Sequence, residues 1–393
     1  MKKTLIAVIL IIFMATSISY GDGNLEDNVK SVLVGDFETG DIIYEHNTDK
    51  PLQIASLTKL MTYLVVMDDI KAGNISLEDM VTIGEEPTKV GGSSFNLKLG
   101  EKVKLKTLIE GMLIPSGNDA SVAIAEHVAG SEGEFTNIMN QKAKEIGLNT
   151  ANFINASGMP VKDNGQNSMS VKDLFKLSRH ILKEHPEILN ITNKEELNIP
   201  ERNFRKASTN PLLDLIPKVD GLKTGYTGDA GNCLISTMEI SDNNNDKPFR
   251  VIAIQMGAKT KEQRKETSKE LLEYAMKNFK NKVMVSKDDI TKVTVDKGEN
   301  PDLNIYPKKD FIKLVKKTDE IKVEKIVDEE ITAPIKKGDK LGEMVVYKNG
   351  KVLEKIDLIA ERAVEKRNIF ERIFDFIAAM VVGLKNAIFG LFD

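Results

Sequence analysis

Apolar positions follow two rhythms along the chain. Ser31 to Phe37 and Asp41 to Glu45 are rich in β-branched and aromatic residues, and the Glu38-Thr39-Gly40 link between them predicts a hairpin. Leu57 to Met67 then reads as an apolar helix. A second helical stretch runs from Leu105 to Ile114, breaks at Pro115-Ser116-Gly117-Asn118, and resumes from Asp119 through Val128. Glu134 to Ile146 and Val171 to Leu182 predict further helices. β character returns at Asp220 to Thr227, Asn232 to Met238 and Arg250 to Met256, and a helix over Lys261 to Phe279 follows. Strands at both ends with helices between them imply an antiparallel sheet, built from both ends of the unit and flanked by a helical lobe.

From about Val283 the texture changes to short alternating runs: Lys292 to Val295, Phe311 to Val315, Ile321 to Val327, Lys340 to Tyr347 and Lys351 to Ile359. The last pair is joined through Lys348-Asn349-Gly350, an Asn-Gly hairpin signal. A small all-β domain is expected, ending near Ala360. Beyond it, Ile369, Ile373, Ile377, Met380, Leu384, Ile388 and Leu391 share one face at about 100° per residue, with Glu371, Asp375 and Asn386 opposite. The uncharged run Phe376 to Leu384 is too short to span a bilayer, so a helix lying in the membrane surface is expected. At the other end, Lys2 and Lys3 precede the apolar run Leu5 to Ala15 and small residues to Gly21, the pattern of a secretory signal. The expected order is therefore a signal over 1–21, a main α+β domain over 25–282, a β-rich domain over 283–360 and an amphipathic anchor over 364–393.

Composition adds exclusions. The 393 residues carry 55 basic and 59 acidic side chains, a balance that offers no nucleic-acid surface. With Cys233 as the sole cysteine no internal disulfide can form, and its apolar neighbours predict a buried strand residue. His46, His127, His180 and His185 lack the helical spacing of a metal pair, and the polar turn Ser241 to Asp246 lacks the ligand alternation of a calcium loop.

Chemistry concentrates in three places. Ser56 and Lys59 lie three apart at the head of the first helix, so their side chains share a face; a lysine of depressed pKa can take the serine's proton. Alone the pair is weak, since a chain of this size yields a Ser-x-x-Lys roughly once or twice by chance. Of the three Ser-x-Asn triplets between Lys59 and Lys223, Ser94-Phe95-Asn96 and Ser208-Thr209-Asn210 lack a helix-break setting, whereas Ser116-Gly117-Asn118 interrupts two apolar helices. Lys223-Thr224-Gly225 follows on a predicted strand.

Ser56-x-x-Lys59, Ser116-Gly117-Asn118 and Lys223-Thr224-Gly225 together resemble the active-site signature of penicillin-binding proteins and serine β-lactamases. The context Ile54 to Thr62, Ser116 to Ala120 and Asp220 to Thr227 is similar to that of the low-molecular-mass D-alanyl-D-alanine carboxypeptidases. The resemblance covers roughly residues 25 to 280, and the β domain and terminal helix fit the same family. It implies a β-lactamase/transpeptidase-like fold and a cofactor-free carboxypeptidase that cuts the terminal D-alanine from peptidoglycan stem peptides, is blocked by β-lactams, and works on the outer face of the cytoplasmic membrane. By resemblance, Ser56 is the nucleophile, Lys59 its base and Ser116 a proton relay held by Lys59 and Lys223. Asn118, Lys223, Thr224, Gly225, Thr227 and Arg264 bind substrate, and the backbone N–H groups of Ser56 and Tyr226 form the oxyanion hole. A class A β-lactamase would carry a glutamate four residues before an asparagine; near Glu195-Glu196-Leu197-Asn198 that position is Lys194.

Overall fold

The computed structural model describes residues 26, 28–162, 165–241, 247–368, 377 and 380–382. The signal segment, most of the terminal helix and most of the Ser241–Asp246 turn therefore lie outside the described residues. In the main domain β1 (Ser31–Asp36), β2 (Ile42–His46), α1 (Lys59–Lys71), α2 (Leu105–Leu113), α3 (Asn118–Ala129), α4 (Glu132–Glu145) and α5 (Val171–Glu184) precede β3 (Val219–Thr227), β4 (Gly231–Ile240), β5 (Phe249–Ala258) and α6 (Lys261–Asn278). The five strands form one antiparallel sheet in the order β2-β1-β5-β4-β3, so the first hairpin pairs with the last strand of the unit.

Successive side chains of a strand point to opposite faces, and here both faces are covered. Leu33, Ile235, Ile252 and Ile254 pack into the large core shared with the helical lobe. Val32, Val34, Leu234, Val251 and Ala253 pack against Leu271, Leu272 and Ala275 of α6. Double burial is why these strands read as continuous apolar runs rather than alternations. α1 runs through the middle of the lobe, buried at every position from Lys59 to Met67. Such a helix is apolar all round, and a lysine within it is exceptional.

β6 (Phe279–Val285) starts where α6 ends and leads into a second unit of β7 (Thr291–Thr294), β8 (Asp302–Pro307), β9 (Phe311–Lys316), β10 (Ile321–Val327), β11 (Lys340–Lys348) and β12 (Lys351–Ala360). β6 pairs with β9; the others form a sheet ordered β7-β8-β12-β11-β10. β6 and β8 are absent from the sequence expectation. Phe279 was expected to end the helix; it is instead the helix C-cap and the first residue of the strand. Pairing continues past Ala360, through the bridges Ile335↔Val364 and Gly298↔Lys366, and Val364 is buried in this domain's core.

Candidate active site

Ser56 stands not on the first helix but just ahead of it, on a 3-10 turn (Ala55–Thr58) that runs directly into Lys59, the first residue of α1. Three residues complete a 3-10 turn, so positions i and i+3 eclipse. Lys59 Nζ consequently lies 2.9 Å from Ser56 Oγ.

The Lys59 amine also donates to Asn118 Oδ1 at 2.7 Å and to the Ser157 carbonyl at 2.7 Å. Asn118 is oriented by its own amide nitrogen, which donates to the Gly91 carbonyl at 2.8 Å. Burial above all, and then the Lys223 charge, hold the Lys59 pKa well below that of an ordinary lysine, against an upward pull from Asp119. A neutral amine has two hydrogens and one lone pair. Carbonyl oxygens can only accept, so the two hydrogens go to Asn118 and Ser157. In its neutral form the amine would then turn its lone pair towards the Ser56 hydroxyl, 2.9 Å away.

The Ser157 carbonyl is itself fixed by a buried amide network. Asn155 Oδ1 accepts from the Ser157 and Gly158 N–H groups at 3.2 and 2.7 Å, and Asn167 Nδ2 donates to the Asn155 carbonyl and to Thr58 Oγ1, each at 2.9 Å. Gly158 has φ of 84° and a Cβ there would fall 1.9 Å from the Ala55 carbonyl oxygen. Only glycine lets this loop lie against the serine's turn.

Ser116 occupies the break between α2 and α3 with φ of 64°, uncommon for a residue with a side chain. Its hydroxyl accepts from Lys223 Nζ at 2.9 Å; among the described residues no hydrogen bond joins it to Lys59. Lys223 is buried on β3, and burial, then the nearby Arg264 guanidinium, lower its pKa to about 7. Arg264 is itself buried on the first turns of α6. It makes no ion pair among the described residues, and its Nε has no hydrogen-bond partner. A guanidinium in that state is a ready seat for a carboxylate.

Gly225 brings the strand close to the serine. A Cβ on it would sit 3.0 Å from the Ile54 carbonyl oxygen and 3.3 Å from the Ser56 nitrogen, so β3 passes the Ser56 N–H almost in contact. Tyr226, next along, has an exposed side chain. Thr224 Oγ1 donates to Thr209 Oγ1 at 2.6 Å. The Thr227 hydroxyl is already engaged: it donates to Gln166 Oε1 at 2.8 Å and accepts from the Ala230 N–H at 3.1 Å. Ser56, Ser116, Asn118, Thr224, Tyr226 and Arg264 line one cleft of about 470 Å³. Thr209 lines it too, from a triplet without a helix-break setting in the sequence. Thr209, Gln166 and the Asn155–Asn167 pair are participants that sequence reasoning missed, since nothing in their local pattern marks them. Cys233 is a buried strand residue whose thiol is pushed up to about 11 by burial. No three His, Cys, Asp or Glu side chains gather as a metal set among the described residues.

Residues 22–260 match the model of the D-alanyl-D-alanine carboxypeptidase family, and residues 279–366 match that of the penicillin-binding protein 5 C-terminal domain. The chain is 33% identical over 377 residues to the D-alanyl-D-alanine carboxypeptidase DacF of Bacillus subtilis (strain 168), covering 93% of this chain and 94% of that one. Among solved structures, the carboxypeptidase DacD of Francisella tularensis superposes with a TM-score of 0.68 at 27% identity, over 86% of this chain and 94% of the other. Penicillin-binding protein D2 of Listeria monocytogenes, in its ampicillin-bound form, gives 0.56 at 32% identity, over 63% and 96%. Two independent domain matches in the right order, on a chain whose buried lysine meets a serine that lines a cleft, leave one conclusion: the chain belongs to the serine-type D-alanyl-D-alanine carboxypeptidases, cell-wall hydrolases of the penicillin-binding protein family.

Proposed function

We propose that the chain removes the terminal D-alanine from peptidoglycan stem peptides through an acyl-enzyme on Ser56. The observation that carries this reading is the Lys59 amine, buried and held by two carbonyl oxygens with its remaining direction on Ser56 Oγ. Ser56 Oγ attacks the carbonyl between the two D-alanines while its proton passes to Lys59. The N–H groups of Ser56 and Tyr226 receive the developing oxyanion, a role supported by the close passage of β3 beside the Ser56 nitrogen. Ser116, bonded to Lys223, gives its proton to the departing amine and is resupplied with the one Lys59 took from Ser56, so that Lys59 is neutral again before water arrives; Asn118 holds the substrate amide. The C-terminal carboxylate meets Lys223, Thr224 and Arg264 beside Gly225; contact with Thr227 requires its hydroxyl to turn from Gln166. Water then splits the ester, returning its proton through Lys59, and Ser56 is restored. A β-lactam enters the same first step, as the ampicillin-bound Listeria relative suggests, but its leaving group stays tethered and obstructs water.

Incubating the chain with an acylated tripeptide ending in D-alanyl-D-alanine is expected to release one D-alanine per peptide, read by chiral chromatography; intact peptide after many hours would overturn the proposal. A pH profile follows from the two lysines. Lys59 must be neutral to act as base, so kcat/KM rises as pH climbs through its depressed pKa. Lys223 attracts the carboxylate only while protonated, so kcat/KM falls again above about 7. A rate still rising steeply to pH 10 would contradict this assignment.

The proposal includes export and peripheral attachment through the terminal helix. No helix among the described residues is long and apolar enough to cross a membrane, and Ile377 and Met380, both on the expected apolar face, are exposed. Because Val364 and Lys366 belong to the β domain's pairing, a truncation should begin at residue 369. Removing 369–393 is expected to move the protein from the membrane pellet to the soluble fraction with D-alanine release unchanged. Retention in the pellet would argue against the anchor.

A further inference from the structure

Asp119, the first residue after Asn118, is buried on the opening turn of α3 yet bonds to no cation among the described residues. Instead its carboxylate collects the segment that directly follows Gly92 and Ser93 of the cleft wall. It accepts from the Phe95 N–H at 2.7 and 2.9 Å, from the Leu97 N–H at 3.2 Å, from Ser94 Oγ at 2.7 Å and from its own neighbour Ala120 at 2.9 Å. Three donors on a short loop converging on one buried anion make a strong, directional clamp.

The same segment meets Asn118 just upstream. The Ser93 carbonyl accepts the Asn118 backbone N–H at 2.7 Å, and the Gly91 carbonyl accepts Asn118 Nδ2 at 2.8 Å. That last bond decides which way the carboxamide faces, and hence whether Lys59 meets an oxygen or a nitrogen. On the far side the segment is held by Arg202, which donates to the Phe95 and Asn96 carbonyls at 3.2 and 3.3 Å with its guanidinium over the Phe95 ring, and by Lys206, which donates to the Ser94 carbonyl at 2.7 Å. Asp119 is thus the inner jaw of a grip whose outer jaw is cationic.

We propose that Asp119 is a positioning residue: by gathering residues 94–97 onto the head of α3, it keeps the Gly91 carbonyl on the Asn118 amide nitrogen and so keeps the Asn118 oxygen on Lys59. The inference rests on Lys59 serving as the base for Ser56. Asp119 also contributes charge. The charges that bear on the Lys59 pKa are Lys223 of β3, which lowers it, and Asp119 of α3, which raises it, while Arg264 of α6 acts on Lys223. Replacing it by a neutral side chain should lower the Lys59 pKa further, because an anion that favoured the ammonium has gone.

The test compares Asp119→Asn, Ser94→Ala and the parent protein in acylation by a chromogenic cephalosporin and in D-alanine release across pH. Asparagine at 119 must point an N–H₂ at one of the loop donors, so the clamp is broken. Expected is a roughly ten- to hundredfold loss of kcat, with KM changing far less, and an acid limb of kcat/KM displaced to lower pH. Ser94→Ala, which removes one bond and keeps the charge, should lose a few-fold of kcat with the acid limb unmoved; it tests the proposal even if Asp119→Asn fails to fold. Parental rates in both variants would overturn the inference, as would a loss in Asp119→Asn carried by KM with an unshifted limb. Failure of the parent protein itself to acylate would instead sink the proposed function.

Discussion

Lys59→Met and Lys59→Arg are both expected to acylate with β-lactam or peptide at least about a thousandfold more slowly than the parent protein. The two substitutions ask different questions. Methionine fills the volume without a polar atom, leaving Asn118 Oδ1 and the Ser157 carbonyl without the donor they share. Arginine keeps a cation and several donors, but it stays protonated at any working pH and cannot accept a proton. If Lys59 mattered only as a positive charge beside Ser56, arginine would preserve much of the rate. If, as proposed, the neutral amine spends its two hydrogens on these acceptors and turns its lone pair to the serine, arginine should fail as badly as methionine. Stopped-flow measurement of acylation decides it, and an arginine variant within tenfold of the parent would remove Lys59 from the role of base.

The local grammar of the chain carried much of this site. Lys59 sits in an apolar helix, Ser116 at a Pro-Ser-Gly break between two such helices, and Lys223 on a β-rich run; each is punctuation that propensity and periodicity expose. What the chain hides is whatever arrives from far away. The Ser157 carbonyl that completes the Lys59 coordination lies 98 residues downstream and is a backbone atom, which no motif can mark. Thr209 meets Thr224, and Gln166 meets Thr227, only because the lobe folds onto the sheet. Asp119 is visible as a residue next to the Ser-Gly-Asn triplet, but its grip on Ser94, Phe95 and Leu97 is a tertiary fact. The turn around Ser56 was the subtler case: a 3-10 turn and the first turn of an α-helix share nearly the same sequence preferences, and the difference sets whether Ser56 and Lys59 eclipse or merely neighbour one another. In the β domain, β8 was missed because Asp302–Pro307 begins and ends in poor strand formers.

Ser56→Ala is expected to abolish D-alanine release while leaving the fold intact. Ser56 is only partly buried and packs by backbone, since its turn is held through the Leu57 N–H to the Ile54 carbonyl, so losing one hydroxyl oxygen should cost little stability. Its chemistry has no substitute nearby. Ser116 accepts a hydrogen bond from Lys223 across the cleft, and the Thr224 hydroxyl is bonded to that of Thr209. An acyl-enzyme on any other residue would therefore require a different geometry altogether. The direct measurement is intact mass over time for the protein lacking residues 369–393, mixed with benzylpenicillin, alongside Ser56→Ala. The account predicts a long-lived adduct of the full penicillin mass on the parent protein, located on Ser56 by peptide mapping, and none on the variant. An adduct that persists in Ser56→Ala, or a folded parent protein that never gains mass, would contradict it.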